Sequence, residues 1–384
     1  MKVLYLITKS ERGGAQSHVW TLIERQRFAT PVLAVGEDGF LGDQARAAGI
    51  PVRVIPDFVH PISPRRDFRA LRELIRVIRE EQPDLVHAHT AKAGMLARCA
   101  ALATGIPAIY TVHAWSFSGM DSAMMRSAAV WIERALGLTG QSVIEVSRFN
   151  HEMAVRERVA PSRNHFLIWN GIPDSPWRAS HSREDGPVKI IMVARFAPPK
   201  DHCLLLQALA GIKGDWECVF VGDGPAQPDA RRTALDLGIA ARIRFLGNRD
   251  DVAELLAASD LFVLCSNSES LPISILEAMR GGLPVVCSGV GGCSELVTHG
   301  LTGLLAAPGD ADDLHRHLAA LIRDRSLRES FGREGRKRFE AHFRVEQMIS
   351  RTFEAYSQVL RAGVHESQID PARRPELLDS VFPR

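Results

Sequence analysis

None of the six cysteines, Cys99, Cys203, Cys218, Cys265, Cys287 and Cys293, forms a C-x-x-C pair or joins a Cys/His cluster with zinc-ligand spacing. A disulfide scaffold and a zinc finger are thereby excluded, and the thiols read as reduced, mostly buried groups of a cytosolic protein. The sequence also lacks any apolar window of roughly 18 residues, so no segment reads as a membrane-spanning helix. The first apolar run, in "MKVLYLITKSERGG", is too short for a signal peptide and is ended by Arg12 and Gly13. Charge of one sign is lacking too. Lys+Arg number 47 against 45 Asp+Glu, a net charge of +2, which offers no overall field for nucleic acid or an anionic membrane. No G-x-S-x-G, H-E-x-x-H or Walker motif occurs, and "GVGGCSE" (Gly289 to Glu295) falls short of the full dinucleotide fingerprint.

What is present is a repeated α/β pattern in a chain of 384 residues, long enough for two domains. In the first half "KVLYLIT", "PVLAVGE", "PVRVIP", "LVHAHT", "AIYTVHA", "SVIEVS" and "HFLIWN" read as strands. Helical patterns such as "FRALRELIRVIREE" and "KAGMLARCAALATG" lie between them. The pattern pauses at "GIPDSPWRASHSREDGP" and restarts with "VKIIMVAR", "WECVFVGDG", "RIRFLG", "LFVLCSN" and "LPVVCSGV". This predicts an α/β protein of two Rossmann-like, doubly wound domains, with ligand loops at the carboxyl ends of the strands and a cleft between the halves. The boundaries read as 1–172 for the first domain, 173–187 for a linker and 188–343 for the second domain. A C-terminal helix over 344–362 is expected to return to the first domain, and 363–384 is a polar tail.

Three loops carry candidate chemistry. Gly13 and Gly14 stand at a helix mouth after the first strand, where backbone amides can face an anion, although simple turn chemistry explains a Gly pair as well. Arg195 and Lys200 follow the first strand of the second half; a guanidinium fork and a point charge together suit a diphosphate. In "ESLPISILEAM", Pro272 is tolerated in the first turn of a helix that ends at Gly281-Gly282, so amides near Ser270, Leu271 and Ile273 are expected to face a phosphate. Glu269 would repel that phosphate unless it faced hydroxyls or developing positive charge, and Glu277 lies in reach of neutral hydroxyls such as those of a ribose.

The set resembles the family-4 retaining glycosyltransferases of the GT-B fold, with a glutamate pair eight positions apart (269 to 277) after an Arg…Lys pair. The resemblance runs from "GGAQ" through "TVHAWSF", "VARFAPPKDH", "VGDGP", "FLGNRDDV" and "ESLPISILEAM" to "ELVTHGLTGLL". It implies that Arg195 and Lys200 hold a donor diphosphate, Glu277 the ribose, Glu269 the transferred sugar, and the backbone near Asn248 and Arg249 the base. Many members have Gly after the first Glu; Ser270 here narrows the space beside the sugar. His113 would contact the transferred sugar by the same resemblance, where a lone His is otherwise more often structural. His89 and Lys92 are acceptor-side candidates, with a helix entry as the equal alternative.

The resemblance further implies a retaining, metal-independent hexosyltransferase that uses a nucleotide-diphosphate sugar, UDP-linked by expectation, and needs no cofactor. The form of "HTAKAG…TVHAWSF" is similar to the branch that builds bacterial exopolysaccharide, capsule or lipopolysaccharide, so the acceptor is expected to be a glycan or lipid-linked saccharide. A soluble small-molecule acceptor and a non-catalytic GT-B binding subunit are the alternatives. Arg65, Arg66, Arg69, Arg72, Arg76 and Arg79 line a helix that can rest on an anionic membrane, although Asp67, Glu73, Glu80 and Glu81 offset them and a solvated face is the simpler reading. The expected location is cytoplasmic, with that peripheral contact as an option. "DADD" (Asp310 to Asp313) has a D-x-D spacing but opens a helix, where Asp is favoured as a cap rather than as a metal ligand.

Overall fold

Seven short runs rich in Val, Ile and Leu form one parallel sheet: β1 (Lys2–Ile7), β2 (Thr30–Val35), β3 (Val52–Val54), β4 (Leu85–Ala88), β5 (Ala108–Val112), β6 (Ser142–Glu145) and β7 (His165–Leu167). Their order, β3-β2-β1-β4-β5-β6-β7, places β1 beside β4, so the winding direction reverses between these two strands. Ligand loops of doubly wound sheets gather at such a reversal. Six strands form a second parallel sheet: β8 (Val188–Val193), β9 (Trp216–Val221), β10 (Ile243–Phe245), β11 (Leu261–Leu264), β12 (Val285–Ser288) and β13 (Gly303–Ala306). The order β10-β9-β8-β11-β12-β13 repeats the same reversal, between β8 and β11.

This is a computed structural model that describes residues 1–59, 62–120, 122–159, 165–179 and 186–366. The chain divides into two compact units, Met1–Asn170 together with the chain from Glu346 onward, and Gly171–Val345. The expected two Rossmann-like domains are therefore present. Of the expected linker, 180–185 lies outside the described residues, as does 367–384 of the tail.

Strands with both faces covered should be apolar throughout rather than alternating, and Val3, Leu4, Tyr5, Leu6 and Ile7 of β1 are all buried. Each fully buried Leu, Ile or Val contributes about 1.5–3 kcal/mol relative to exposure. The core of the first unit runs from Leu4 and Leu6 through Val86 and Tyr110 to Leu74 and Ile78 of helix Pro64–Glu81. The C-terminal helix, Val345–Glu366, joins this unit: Tyr356 meets His87 of β4 at 2.5 Å, and Phe353 packs on Phe28 at 4.5 Å between ring centres. Strand β13 was not among the runs expected from the sequence. It is four residues opened by a glycine, too short to show a period, and it pairs only because β12 supplies a ladder. Among the described residues no helix is long and apolar enough to cross a membrane.

Candidate active site

In the second unit the candidate residues stand after strands β8, β10 and β11. Beyond β8 the chain carries exposed Arg195 and then turns at Pro199 and Lys200. This turn is bound to the end of β11: the Asp201 amide donates to Cys265 O at 3.0 Å, the Asn267 amide to Pro199 O at 2.8 Å, and Ser266 Oγ to Pro199 O at 3.1 Å. The zipped loops bring Lys200 Nζ onto the Glu269 carboxylate as an ion pair whose side chains are only 19% and 9% exposed. The family resemblance implies that these two residues meet different parts of a ligand; here they pair with each other. In partial burial such a pair offsets desolvation only with good geometry, so any bound anion would compete with Glu269 for the ammonium.

The backbone beneath Glu269 is supported by a segment that the sequence reading set aside. Gly291 and Gly292 lie so close that a Cβ on either would stand 1.7 Å from Glu269 O or Ser270 O, and the Gly292 amide donates to Glu269 O at 3.1 Å. Gly291 also has φ +51°, which favours glycine. "GVGG" thus braces the carboxylate loop, and the signal that could have found it is the Gly pair at the end of a strand.

Helix Ile273–Gly281 follows, with Pro272 as its N-cap rather than in its first turn, and Gly282 in the left-handed conformation at its end. Leu271 is buried before it. Glu277 lies on the helix with its carboxyl pushed up by burial, an effect that nearby Arg280 partly offsets. A carboxyl with a raised pKa takes up a proton more readily and is a strong acceptor for a hydroxyl when ionised. After β10, exposed Asn248 and Arg249 lead into the next helix; Arg249 pairs with Asp251 at 2.6 Å.

In the first unit the strand ends carry imidazoles. His89 follows β4, His113 follows β5, and His18 sits one turn into helix Gly14–Arg25, after exposed Gly13 and Gly14. His89 Nδ1 and His113 Nε2 are 3.4 Å apart, and the His18 ring lies 4.9 Å from that of His113 and 5.5 Å from that of His89. Burial lowers the His18 pKa to about 4, opposed by a hydrogen bond with Asn170. Burial, then repulsion from neighbouring imidazoles, holds His89 and His113 well below the ordinary value. All three rings are therefore neutral near pH 7, able to donate and accept hydrogen bonds.

His18 was missed because "GGAQSH" reads as an anion loop, although a His one turn beyond a Gly pair was a usable signal. His87 is buried behind His89, fixed between Tyr356 Oη at 2.5 Å and Thr111 Oγ1 at 2.7 Å. The loop of His113 is anchored by hydrogen bonds: Asn150 Nδ2 donates to Val112 O at 3.1 Å, Trp115 Nε1 to Asn150 O at 3.0 Å, and Ser116 Oγ to Glu133 Oε1 at 3.0 Å. Lys92 is buried in an ion pair with Asp67 at 2.6 Å, which joins helix Ala91–Thr104 to helix Pro64–Glu81. In the second unit Asp310 caps helix Ala311–Arg323 as expected, accepting from the Asp313 amide at 2.9 Å.

Residues 12–175 match the family described as Glycosyltransferase Family 4, and residues 174–338 match Glycosyl transferases group 1. The UDP-Gal:alpha-D-GlcNAc-diphosphoundecaprenol alpha-1,3-galactosyltransferase of Escherichia coli is 28% identical over 305 residues, 75% of this chain and 78% of the relative. The N-acetyl-alpha-D-glucosaminyl L-malate synthase of Bacillus anthracis is 29% identical over 315 residues, 78% of this chain and 81% of the relative. Among solved structures, Anabaena Alr3699/HepE in complex with UDP and glucose superposes with a TM-score of 0.81 at 23% identity, over 93% of this chain and 99% of its own. Likeness at that identity speaks for the fold. With both halves matched, the chain belongs to the family-4, group 1 glycosyltransferases and has their GT-B fold of two Rossmann-like domains.

Proposed function

We propose that this protein is a retaining, metal-independent glycosyltransferase that moves a sugar from a UDP-linked donor onto a glycan or lipid-linked saccharide in cell-surface polysaccharide synthesis. The observation that carries the reading is the Lys200–Glu269 pair, held by the two zipped loops with Arg195 on the same segment. An arriving diphosphate draws Lys200 from Glu269 and is held by that ammonium and by Arg195. Glu269, released from its partner, is left to hydrogen-bond the hydroxyls of the transferred sugar. The bond between the anomeric carbon and the diphosphate oxygen breaks with its electron pair on the diphosphate. The acceptor oxygen bonds the same face of that carbon, and the acceptor proton passes to the departing diphosphate. Fixed cations that meet the developing charge are the largest contributors in such a site. Glu277 takes the ribose, the backbone near Asn248 and Arg249 takes the base, and His113 takes a sugar hydroxyl.

A UDP donor is supported by the names of the E. coli galactosyltransferase and of the HepE complex, and a lipid-linked acceptor by the former. Helix Ala123–Gly137 also leaves Met124, Met125, Trp131 and Ile132 exposed, with exposed Leu138 after it. An apolar surface of this kind suits a membrane that presents a lipid-linked acceptor. It serves better than the Arg-rich helix, where Asp57 binds Arg66 and Arg69, and Glu73 and Glu80 bind Arg76. The malate synthase favours the second reading, a soluble acceptor.

The test is incubation with a panel of nucleotide sugars in excess EDTA, following donor loss and product anomer by NMR. A UDP-sugar should be consumed with its anomeric configuration kept. Glu269→Ala should mainly lower turnover and Glu277→Ala should mainly weaken UDP binding. An inverted product, or transfer that EDTA stops and manganese restores, would sink the mechanism.

A further inference from the structure

We propose that Glu145, His151 and His165 form a binding site for a divalent first-row transition ion, with zinc the best match. Glu145 closes β6 and His165 opens β7; Glu145 pairs with Leu167 and Val143 with His165, so the two side chains are diagonal neighbours on one face of the sheet. His151 reaches them from the following helix, Arg148–Glu157. Glu145 Oε1 lies 2.5 Å from His165 Nδ1, and Oε2 lies 3.7 Å from His151 Nδ1. The three side chains are 0%, 2% and 35% exposed in the order Glu145, His165, His151. One ligand atom from each can be chosen so that all three lie within 4.8 Å of one another.

The second observation is a concentration of unmet polar atoms. Both Glu145 oxygens, His151 Nδ1, and both nitrogens of His165 are buried without a hydrogen-bond partner of acceptable geometry among the described residues. Buried polar groups in native proteins are nearly always satisfied, and several orphans at one place point to a common partner. A proton shared between His165 and Glu145 would satisfy one oxygen and one nitrogen and leave His151 Nδ1 unmet. A cation satisfies donors from all three side chains together.

Two imidazoles and a carboxylate form a zinc donor set, with bonds of about 2.0–2.2 Å that put ligand atoms about 3.3–3.6 Å apart in a tetrahedron. Movements of about an ångström close the present arrangement onto that geometry. His151 leaves the site reachable from solvent for the ion and for a fourth, water ligand. The ion would tie helix Arg148–Glu157 to β6 and β7. That helix carries Asn150, whose side chain holds the Val112 carbonyl before His113 and whose own carbonyl accepts from the Trp115 indole after it. The role is structural and independent of the reading of the transferase chemistry.

The experiment uses the full chain stripped with chelator, then titrated with Zn²⁺ by calorimetry and with Co²⁺ by visible absorption, with thermal unfolding read beside both. One ion should bind per chain, Co²⁺ should give the intense bands of a site with low coordination number, and Zn²⁺ should raise the unfolding midpoint. His151→Ala, at the most exposed ligand, should weaken binding at least about 100-fold and remove the midpoint shift. Glu145→Gln should do the same, and His151→Gln replaces either variant that does not fold. His18→Ala should bind as the wild type. No binding by the wild type, undiminished binding by the His151 variants, or loss of binding in His18→Ala would each overturn the proposal, and none of these readouts depends on turnover.

Discussion

The two units have the same kind of sheet, wound about the same reversal, but opposite chemistry at the strand ends. In the second unit the loops after β8 and β11 present a guanidinium, an ammonium and a carboxylate, the last two paired and held in place by backbone hydrogen bonds. In the first unit the loops after β4 and β5 and the first helix present three imidazoles that burial keeps neutral. A parallel sheet positions loops without dictating their charge, so one architecture carries a charged cluster at one set of strand ends and a neutral cluster at the other. On the proposed function, charge serves the departing diphosphate, and in a buried site for hydroxyls formal charge would cost desolvation without a matching partner.

The largest effect should come from removing charge in the second unit. Lys200→Ala should lower kcat by about 10²–10³-fold, because one fixed donor to the departing group is lost. His113→Ala, which deletes a neutral hydrogen bond, should cost about tenfold in kcat/KM. Steady-state rates on both variants check this, and a greater loss from His113 than from Lys200 would reverse the contrast.

The second effect is on stability and belongs to the first unit. An imidazole whose folded pKa is depressed binds its proton more weakly folded than unfolded. The stability associated with its neutral form is therefore fully present above the unfolded value near 6.5 and is lost as pH falls. For His18 the window runs from 6.5 down to about 4, and the loss approaches about 3 kcal/mol. Denaturant unfolding at a series of pH values should show a shallower acid loss in His18→Gln than in the wild type. Parallel curves would mean that the cluster does not hold its neutral form.

The smallest effect sharpens the comparison by lying outside both clusters. Asp310→Ala should cost about 1 kcal/mol through the lost cap and leave turnover unchanged. A matching fall in turnover would bring this acid into the chemistry and blur the assignment of charge to the loops after β8 and β11.

Legibility followed the range of the interaction that decides each feature. Twelve of the strands named here coincide with apolar runs in the sequence, the central ones because burial of both faces leaves a local trace, while β13 depended on its neighbour's ladder. Asp310 and Gly282 acted as caps because capping is settled within a turn of helix. Gly13, Arg195, Lys200 and Glu269 were conspicuous for their places after strands or at a helix start, and Glu277 for its spacing from Glu269 along the following helix.

By itself, then, the sequence determined the α/β class, the two-domain division, the transferase family and which loops are candidates for its chemistry, because periodicity, turn residues and motif order are local. Only the tertiary structure decided that Lys200 neutralises Glu269, that Gly291 and Gly292 lie against its backbone, that Lys92 is committed to Asp67, and that His18 joins His89 and His113. It likewise brought His151 and His165 to Glu145. Apart from Glu145 with His151, six residues apart, each of these joins residues distant in the chain. Their meeting depends on strand order and on which face of a helix packs inward, and their ionisation depends on how much water that packing removes.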